Sequence, residues 1–307
     1  MPNPPQPESD AGARLMLVAL SFAWGLTWPA NRIALEQVPP FSMRVATCFL
    51  GALVLFVAAR LQHRSVRIPG GLARLHLALA GCLNIAGFTV LSAIGQLGTT
   101  TSRVIILAYS MPIWACLMAL PILGERLNRM RAVALALCVV GIAVLISPLA
   151  ASGVPSGLLF ALAAGVSWAA GTIYLKWAQI AADPIATAAW QLVAASVVTA
   201  ATAPVFEGSL QLWAIELRTL MALVFAGVIG SGLAYFLWFA AVRRLPATVA
   251  SLGTLSVPVI GIAASAVVLG ERPTVADFIG CALILAAAAC VLLAPGAPSS
   301  QTSSIEP

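Results

Sequence analysis

Ten stretches of about twenty apolar residues follow one another along this chain, and that succession limits its fold more than any single motif. They run over 15–35, 41–60, 73–95, 101–122, 131–149, 156–180, 184–204, 218–242, 246–269 and 275–294. A helix of roughly 20 residues crosses about 30 Å of hydrocarbon. The runs do not alternate apolar with polar residues, so barrel strands are excluded. Backbone groups in lipid must find partners within their own segment, which leaves helices. Composition agrees: 61% of the 307 residues are hydrophobic and 8% are charged, too few charges to cover a water-facing surface. The expected fold class is an all-α integral membrane protein with ten transmembrane helices. Short connections make sequential helices antiparallel neighbours. The first run lacks a small-residue cleavage site and reads as a retained span. The tails at 1–13 and 295–307, rich in Pro and Ser, are expected to be disordered.

Basic residues set orientation. Ten spans place both tails on one side. If that side is the cytoplasm, it holds eleven basic residues: Arg14, Arg60, Arg64, Arg67, Arg74, Arg126, Arg129, Arg131, Lys176, Arg243 and Arg244. The opposite side holds five: Arg32, Arg44, Arg103, Arg218 and Arg272. Both termini are therefore expected in the cytoplasm, with Arg64 and Arg243 inside and Glu207 and Asp277 outside. The net charge of +6 is thus a matter of topology and not a sign of nucleic-acid binding. Lys176 is the only lysine, a codon bias that reads as bacterial, and the expected location is a bacterial inner membrane.

The two halves of the chain resemble each other. Tyr109-Ser-Met-Pro112 followed by Leu123-Gly124-Glu125-Arg126 recurs, 146 residues on, as Leu255-Ser-Val-Pro258 followed by Leu269-Gly270-Glu271-Arg272. Ala23-Trp24-Gly25 aligns with Ser167-Trp168-Ala169 at an offset of 144. Each unit, 14–150 and 151–294, then holds five spans. Five is odd, so the second unit enters the membrane inverted, an arrangement typical of secondary transporters with a midplane site.

Several residues are candidates for that site. Trp24, Thr27, Trp28 and Asn31 share one helical face. Trp24 lies about 14 Å inside its run, too deep for an interfacial belt. It either packs the bundle or walls a cavity on which a substrate stacks. Trp168 and Thr172 hold the matching places on the sixth run. Asn84 and Phe88 share a face of the third run, and Tyr235 shares one of the eighth with Ser231 and Trp238. Asn84 needs a partner across helices or in a wet cavity, and Trp238 reads as an interfacial residue. Pro112 and Pro258 free the carbonyls of Ala108 and Thr254, as fixed kinks or as paired hinges. Tyr109 and Thr254, just before them, are placed to face the cavity. The candidate substrate-binding set is therefore Trp24, Trp28, Asn84, Phe88, Tyr109, Trp168, Thr172, Tyr235 and Thr254. Gly124 and Gly270 read as helix ends, and Glu125 and Glu271 as caps of the helices that follow. Arg44 and Arg103 lie near span ends and read as snorkelling residues.

These pieces resemble the EamA-type members of the drug/metabolite transporter superfamily. Trp24-Gly25, Pro39-Pro40-Phe41 with Arg44, the Pro112 span leading to Gly124-Glu125-Arg126, and their repeats carry the resemblance over about residues 15–294. It implies a bundle of two inverted five-helix repeats and export or exchange of small metabolites, often amino acids. The second half departs from the pattern: Asp183-Pro184 has no arginine matching Arg44.

No Asp or Glu lies in the middle of a run, which argues against the proton carrier of a small multidrug pump. HExxH, GxSxG and Walker A motifs are missing from the sequence, and no cysteine has metal-site spacing. No metal, cofactor or direct use of ATP is expected, and an intramembrane enzyme is disfavoured. The expected function is a secondary transporter for small neutral or zwitterionic metabolites, amino acids foremost, working as exporter or exchanger by alternating access. A multidrug exporter and a facilitative channel are the alternatives. The expected partners are a small-molecule substrate and the lipid bilayer, without nucleic acid; a monomer is compatible with this.

Overall fold

The computed structural model describes residues 10–125, 127–149, 153–208, 215–242 and 253–293, and all regular structure within them is helical. Arg243, the start of the run expected at 246–269, and the chain before 10 and after 293 lie outside the described residues. The helices are α1 (Asp10–Ala34), α2 (Pro40–Leu61), α3 (Gly71–Gly98), α4 (Thr101–Ile122), α5 (Arg129–Ile146), α6 (Ser156–Ala178), α7 (Pro184–Phe206), α8 (Leu217–Trp238, continuing to Val242), α9 (Ser256–Leu269) and α10 (Val275–Leu293). Eight of these, α2 to α8 and α10, are long and apolar enough to cross a membrane. Helix α1 has 25 residues and begins at Asp10, inside the stretch expected as a tail. Large apolar side chains such as Phe49, Val197 and Val267 are exposed on the outer faces, as a lipid-facing surface requires.

Local chemistry starts and stops these helices. Asp183 Oδ1 accepts the Ile185 N–H at 2.8 Å, with Pro184 in the first turn. Asn128 does the same for Arg131 N–H ahead of α5. Both side chains satisfy donors that a helix start leaves unpaired. Gly270 ends α9 with φ 68°, a left-handed conformation that favours glycine.

Three helices depart from α geometry. Helix α3 widens to a π-helix over Cys82–Gly87, and α8 over Phe225–Leu233. Helix α4 breaks at Tyr109–Ser110, just before Pro112. π segments inside helices often accompany functional sites.

The most extensive helix pairings are α2–α7, α5–α10, α3–α6, α1–α8, α2–α8, α3–α7, α1–α9 and α4–α6. Exchanging each helix for the one five places away maps every pairing onto itself or onto another of the set. Charged groups gather at the two ends of the bundle. At one end Arg64 pairs with Asp183 at 2.8 Å, and Glu125 with Arg131 at 2.7 Å and Lys176 at 3.1 Å. At the other end Arg103 pairs with Asp277 at 2.8 Å and Arg218 with Glu36 at 3.5 Å. These are called the Lys176 end and the Glu271 end below.

Candidate substrate cavity

A cavity of about 690 Å³ enters the bundle from the Lys176 end. The exposed Lys176 and Gln179 stand at its rim, where α6 passes into α7. Its deeper wall includes Trp24, Asn84, Tyr109, Trp168, Thr172, Tyr235 and Thr254. A smaller chamber of about 120 Å³ adjoins it, walled by Trp28, Asn31, Arg44, Thr47, Phe88 and Ser92 among others. Trp24, Ile85, Tyr109, Met111, Trp168 and Tyr235 border both spaces. The nine residues proposed from the sequence as substrate-binding thus come from α1, α3, α4, α6, α8 and the turn before α9 to one connected space.

The walls are largely aromatic. Trp24 meets Tyr235 edge to face at 5.9 Å and Trp238 at 6.2 Å. Phe88 sits between Trp168, at 5.1 Å, and Trp28, at 6.3 Å. Each such pair is worth about 0.5–1.5 kcal/mol beyond the area it buries, so these rings hold one another in place around the space. Trp238, read from the sequence as an interfacial residue, borders the cavity and touches Trp24.

Asn84 lies in the π segment of α3. Its Nδ2 donates to Thr172 Oγ1 at 3.4 Å, while its buried Oδ1 has no hydrogen-bond partner among the described residues. The π turn also turns the Leu83 carbonyl outward, where Ser167 Oγ donates to it at 2.7 Å. Helix α6 reaches this backbone because residue 171 is glycine: a Cβ there would stand 2.5 Å from Asn84 N.

The two prolines differ. Pro112 borders the cavity, whereas Pro258 is buried beside it and is not among the wall residues. The Thr254 carbonyl, expected to be freed by Pro258, instead accepts the Val257 N–H at 3.1 Å. A tightened turn thus supplies the missing donor.

Arg44 overturns its expectation. It does not snorkel: it is 4% exposed and lies in the wall of the smaller chamber. Its Nε donates to the Thr89 carbonyl at 3.0 Å and its Nη1 to Asn31 Oδ1 at 3.2 Å. Both acceptors are neutral, and among the described residues no carboxylate pairs with it. A charged side chain turned into a transmembrane bundle is costly and calls for a partner there. One sequence signal could have marked Arg44 as inward-facing: Thr47, Cys48, Gly51 and Leu55 continue its helical face, and the structure buries all four. Arg103 does not snorkel free either; it is bound to the buried Asp277.

Gly124 and Gly270 end their helices with φ of 66° and 68°, as expected, but the glutamates beside them act differently from the expectation. Glu271 does cap a helix, but the cap is on α4 and not on the helix that follows it. Its carboxylate accepts Thr101 N–H at 2.6 Å, Ser102 N–H at 2.9 Å and Ser102 O–H at 2.5 Å. Glu207 holds the start of α2 in the same way, accepting Phe41 N–H at 2.5 Å, Ser42 N–H at 2.8 Å and Ser42 O–H at 2.7 Å. A carboxylate at a helix N-terminus satisfies orphan donors and meets the positive end of the dipole. These two clamps draw the Glu271 end together. At the Lys176 end, Glu125 leaves the capping to Asn128 and pairs with Arg131 and Lys176. Burial would raise its carboxyl, but the Lys176 hydrogen bond and charge, with the charge of Arg131, hold it below the usual carboxylate range.

The geometry can be set beside known proteins. The model of the EamA-like transporter family matches this chain twice, over residues 12–147 and 155–293. The chain is similar to the uncharacterized transporter YoaV of Bacillus subtilis, with 23% identity over 88% of this chain and 93% of that protein. It is also similar to proteins named probable amino-acid metabolite efflux pumps. The one from Salmonella typhimurium is 25% identical over 86% of this chain and 89% of its own. That of Escherichia coli is 26% identical over 89% and 92%. A solved crystal structure of a protein superposes with a TM-score of 0.65 at 24% identity, over 92% of this chain and 96% of that one. At that identity the likeness speaks for the fold alone.

Proposed function

The chain belongs to the EamA-like transporter family, and from that premise we propose that it carries small neutral or zwitterionic metabolites, amino acids foremost, across a bacterial inner membrane by alternating access. The observation that carries this reading is the aromatic-walled cavity of about 690 Å³, entered from the Lys176 end and shut at the Glu271 end by two carboxylate clamps. A zwitterion with an apolar side chain matches such a wall: rings for the side chain, hydroxyl and amide groups for the polar end.

Two inverted five-helix repeats supply the means of alternation. The paired family matches, the pairings that survive a shift of five helices, and the π segments at corresponding places in α3 and α8 all support that organisation. The excess of basic residues supports a cytoplasmic Lys176 end, with both termini on that side. The cavity is then loaded from the cytoplasm, as an exporter or exchanger requires. The clamps favour a carrier over a facilitative channel, because they close one end while the other is open.

Counterflow into proteoliposomes against a panel of amino acids, nucleosides, sugars and cationic dyes tests the substrate class. Counterflow with apolar amino acids is the expected result. Movement of dyes alone would replace this reading with a multidrug exporter.

A further inference from the structure

We propose that Arg44 is the anchor for a carboxylate, so that the solutes carried are those with a free carboxyl group attached to an apolar or aromatic body. The inference rests on the transport reading above and narrows it.

The argument begins with charge. Arg44 is 4% exposed in a helix that crosses the hydrocarbon, and its two protein acceptors, the Thr89 carbonyl and Asn31 Oδ1, are both neutral. Its Nη2 donates to no protein group among the described residues. The described acids that could have neutralised it are engaged elsewhere: Asp277 with Arg103, Glu207 with Ser42, and Glu271 with Ser102. A buried cation without an anion is unstable unless an anion comes to it. A guanidinium is built for that partner, because its planar fork matches a carboxylate in two hydrogen bonds.

The second observation is where this charge lies. Arg44 stands in the wall of the chamber of about 120 Å³ that adjoins the main cavity, together with Thr47, whose buried Oγ1 has no hydrogen-bond partner among the described residues. Trp24, Trp168 and Tyr235 border both spaces. A solute entering from the Lys176 end therefore has a place for each part. Its carboxylate reaches the small chamber beside Arg44 and Thr47, and its apolar body stays between Trp24 and Trp168. Arg44 has no counterpart at the matching place of the second half of the chain, where Asp183-Pro184 opens the helix. The anchor is thus single, and each solute is held in one orientation.

The test compares a carboxylate with its uncharged isostere on the wild-type protein, in counterflow and by quenching of intrinsic tryptophan fluorescence. Leucine is expected to bind about 10- to 100-fold more tightly than leucinamide, and 4-methylpentanoate than 4-methylpentanamide, the range of a charged hydrogen-bonded pair. In folded Arg44→Gln this preference is expected to vanish, and in Arg44→Lys to return in part. Equal binding of acid and amide by the wild type, with counterflow intact, would overturn the anchor and leave the transport reading standing. Absence of counterflow with every solute in the panel would overturn both. If Arg44→Gln does not fold, the wild-type comparison decides the matter alone.

Discussion

The Glu271 carboxylate accepts the Ser102 hydroxyl at 2.5 Å, so the turn that ends α9 is tied to the start of α4, 169 residues earlier in the chain. With Glu207 on Ser42, at 2.7 Å, it forms the closure of the cavity at one end. On the proposed alternating-access reading, a form open at the Glu271 end would have to break these bonds, and their strength would set how often it is visited.

Replacing Glu271 by Gln removes the charge and one acceptor. Charged hydrogen bonds are worth about 1.5–3 kcal/mol each in net terms. Closure at this end is expected to weaken enough to raise the open population at least about tenfold. A single cysteine at Ser92, in the wall of the smaller chamber, reports this in a cysteine-free background. Impermeant maleimide applied from the Glu271 side is expected to label it faster in Glu271→Gln than in the parent. Equal rates would mean that the clamp does not gate access.

Trp24→Ala and Trp168→Ala are expected to raise the apparent KM about tenfold or more, or to abolish transport, while the proteins still insert in the membrane. If these rings only pack helices, the loss falls on stability instead, about 3–5 kcal/mol for such a truncation, and substrate affinity stays near wild type. Fluorescence titration together with thermal unfolding separates the two outcomes.

Glu125 makes a pH dependence with a definite sign. Its carboxyl is held below the usual carboxylate range, because Lys176 and Arg131 outweigh its burial. The pairing therefore stabilises the fold above the unfolded carboxyl value of about 4.3 and is lost as pH falls through the lower folded value. Lys176 is 63% exposed, so solvent screening keeps the effect below about 1 kcal/mol. Thermal unfolding from pH 7 to pH 3 is expected to show a small wild-type advantage over Glu125→Gln that disappears at the acid end. An advantage that grows on acidification would contradict the assignment. Transport by Glu125→Gln is expected to keep its pH profile, since no mid-span carboxylate serves as a proton carrier.

For topology, Arg218 and Ser65 are both exposed and lie at opposite ends of the bundle. In intact cells impermeant maleimide is expected to reach Arg218→Cys and not Ser65→Cys. The reverse pattern would invert the orientation and make the cavity open outward.

The course of the helices was legible because hydrophobic length alone specifies a membrane span, and Trp24 and Trp168 stood out because depth in a span can be counted from its ends. Arg44 was misjudged because depth does not give azimuth. It sits near the end of its helix, yet it shares a face with Thr47 and Cys48 that turns to the bundle. The roles of Glu207 and Glu271 were hidden for another reason. Each meets a helix start more than 160 residues away, and no local pattern encodes that meeting. The π segments of α3 and α8 left no trace in the apolar period either; in α3 the segment lies where Gly171 lets α6 approach Asn84 closely.

The most direct measurement of the central claim is trans-stimulation in proteoliposomes, with labelled leucine outside and unlabelled leucine either loaded inside or left out. A carrier that alternates around the Trp24–Trp168 cavity exchanges faster when substrate waits on both sides, so uptake is expected to accelerate several-fold with internal leucine and to lose that acceleration in Trp168→Ala. Uptake that proceeds at one rate with or without internal substrate, and survives in Trp168→Ala, would contradict alternating access through this cavity.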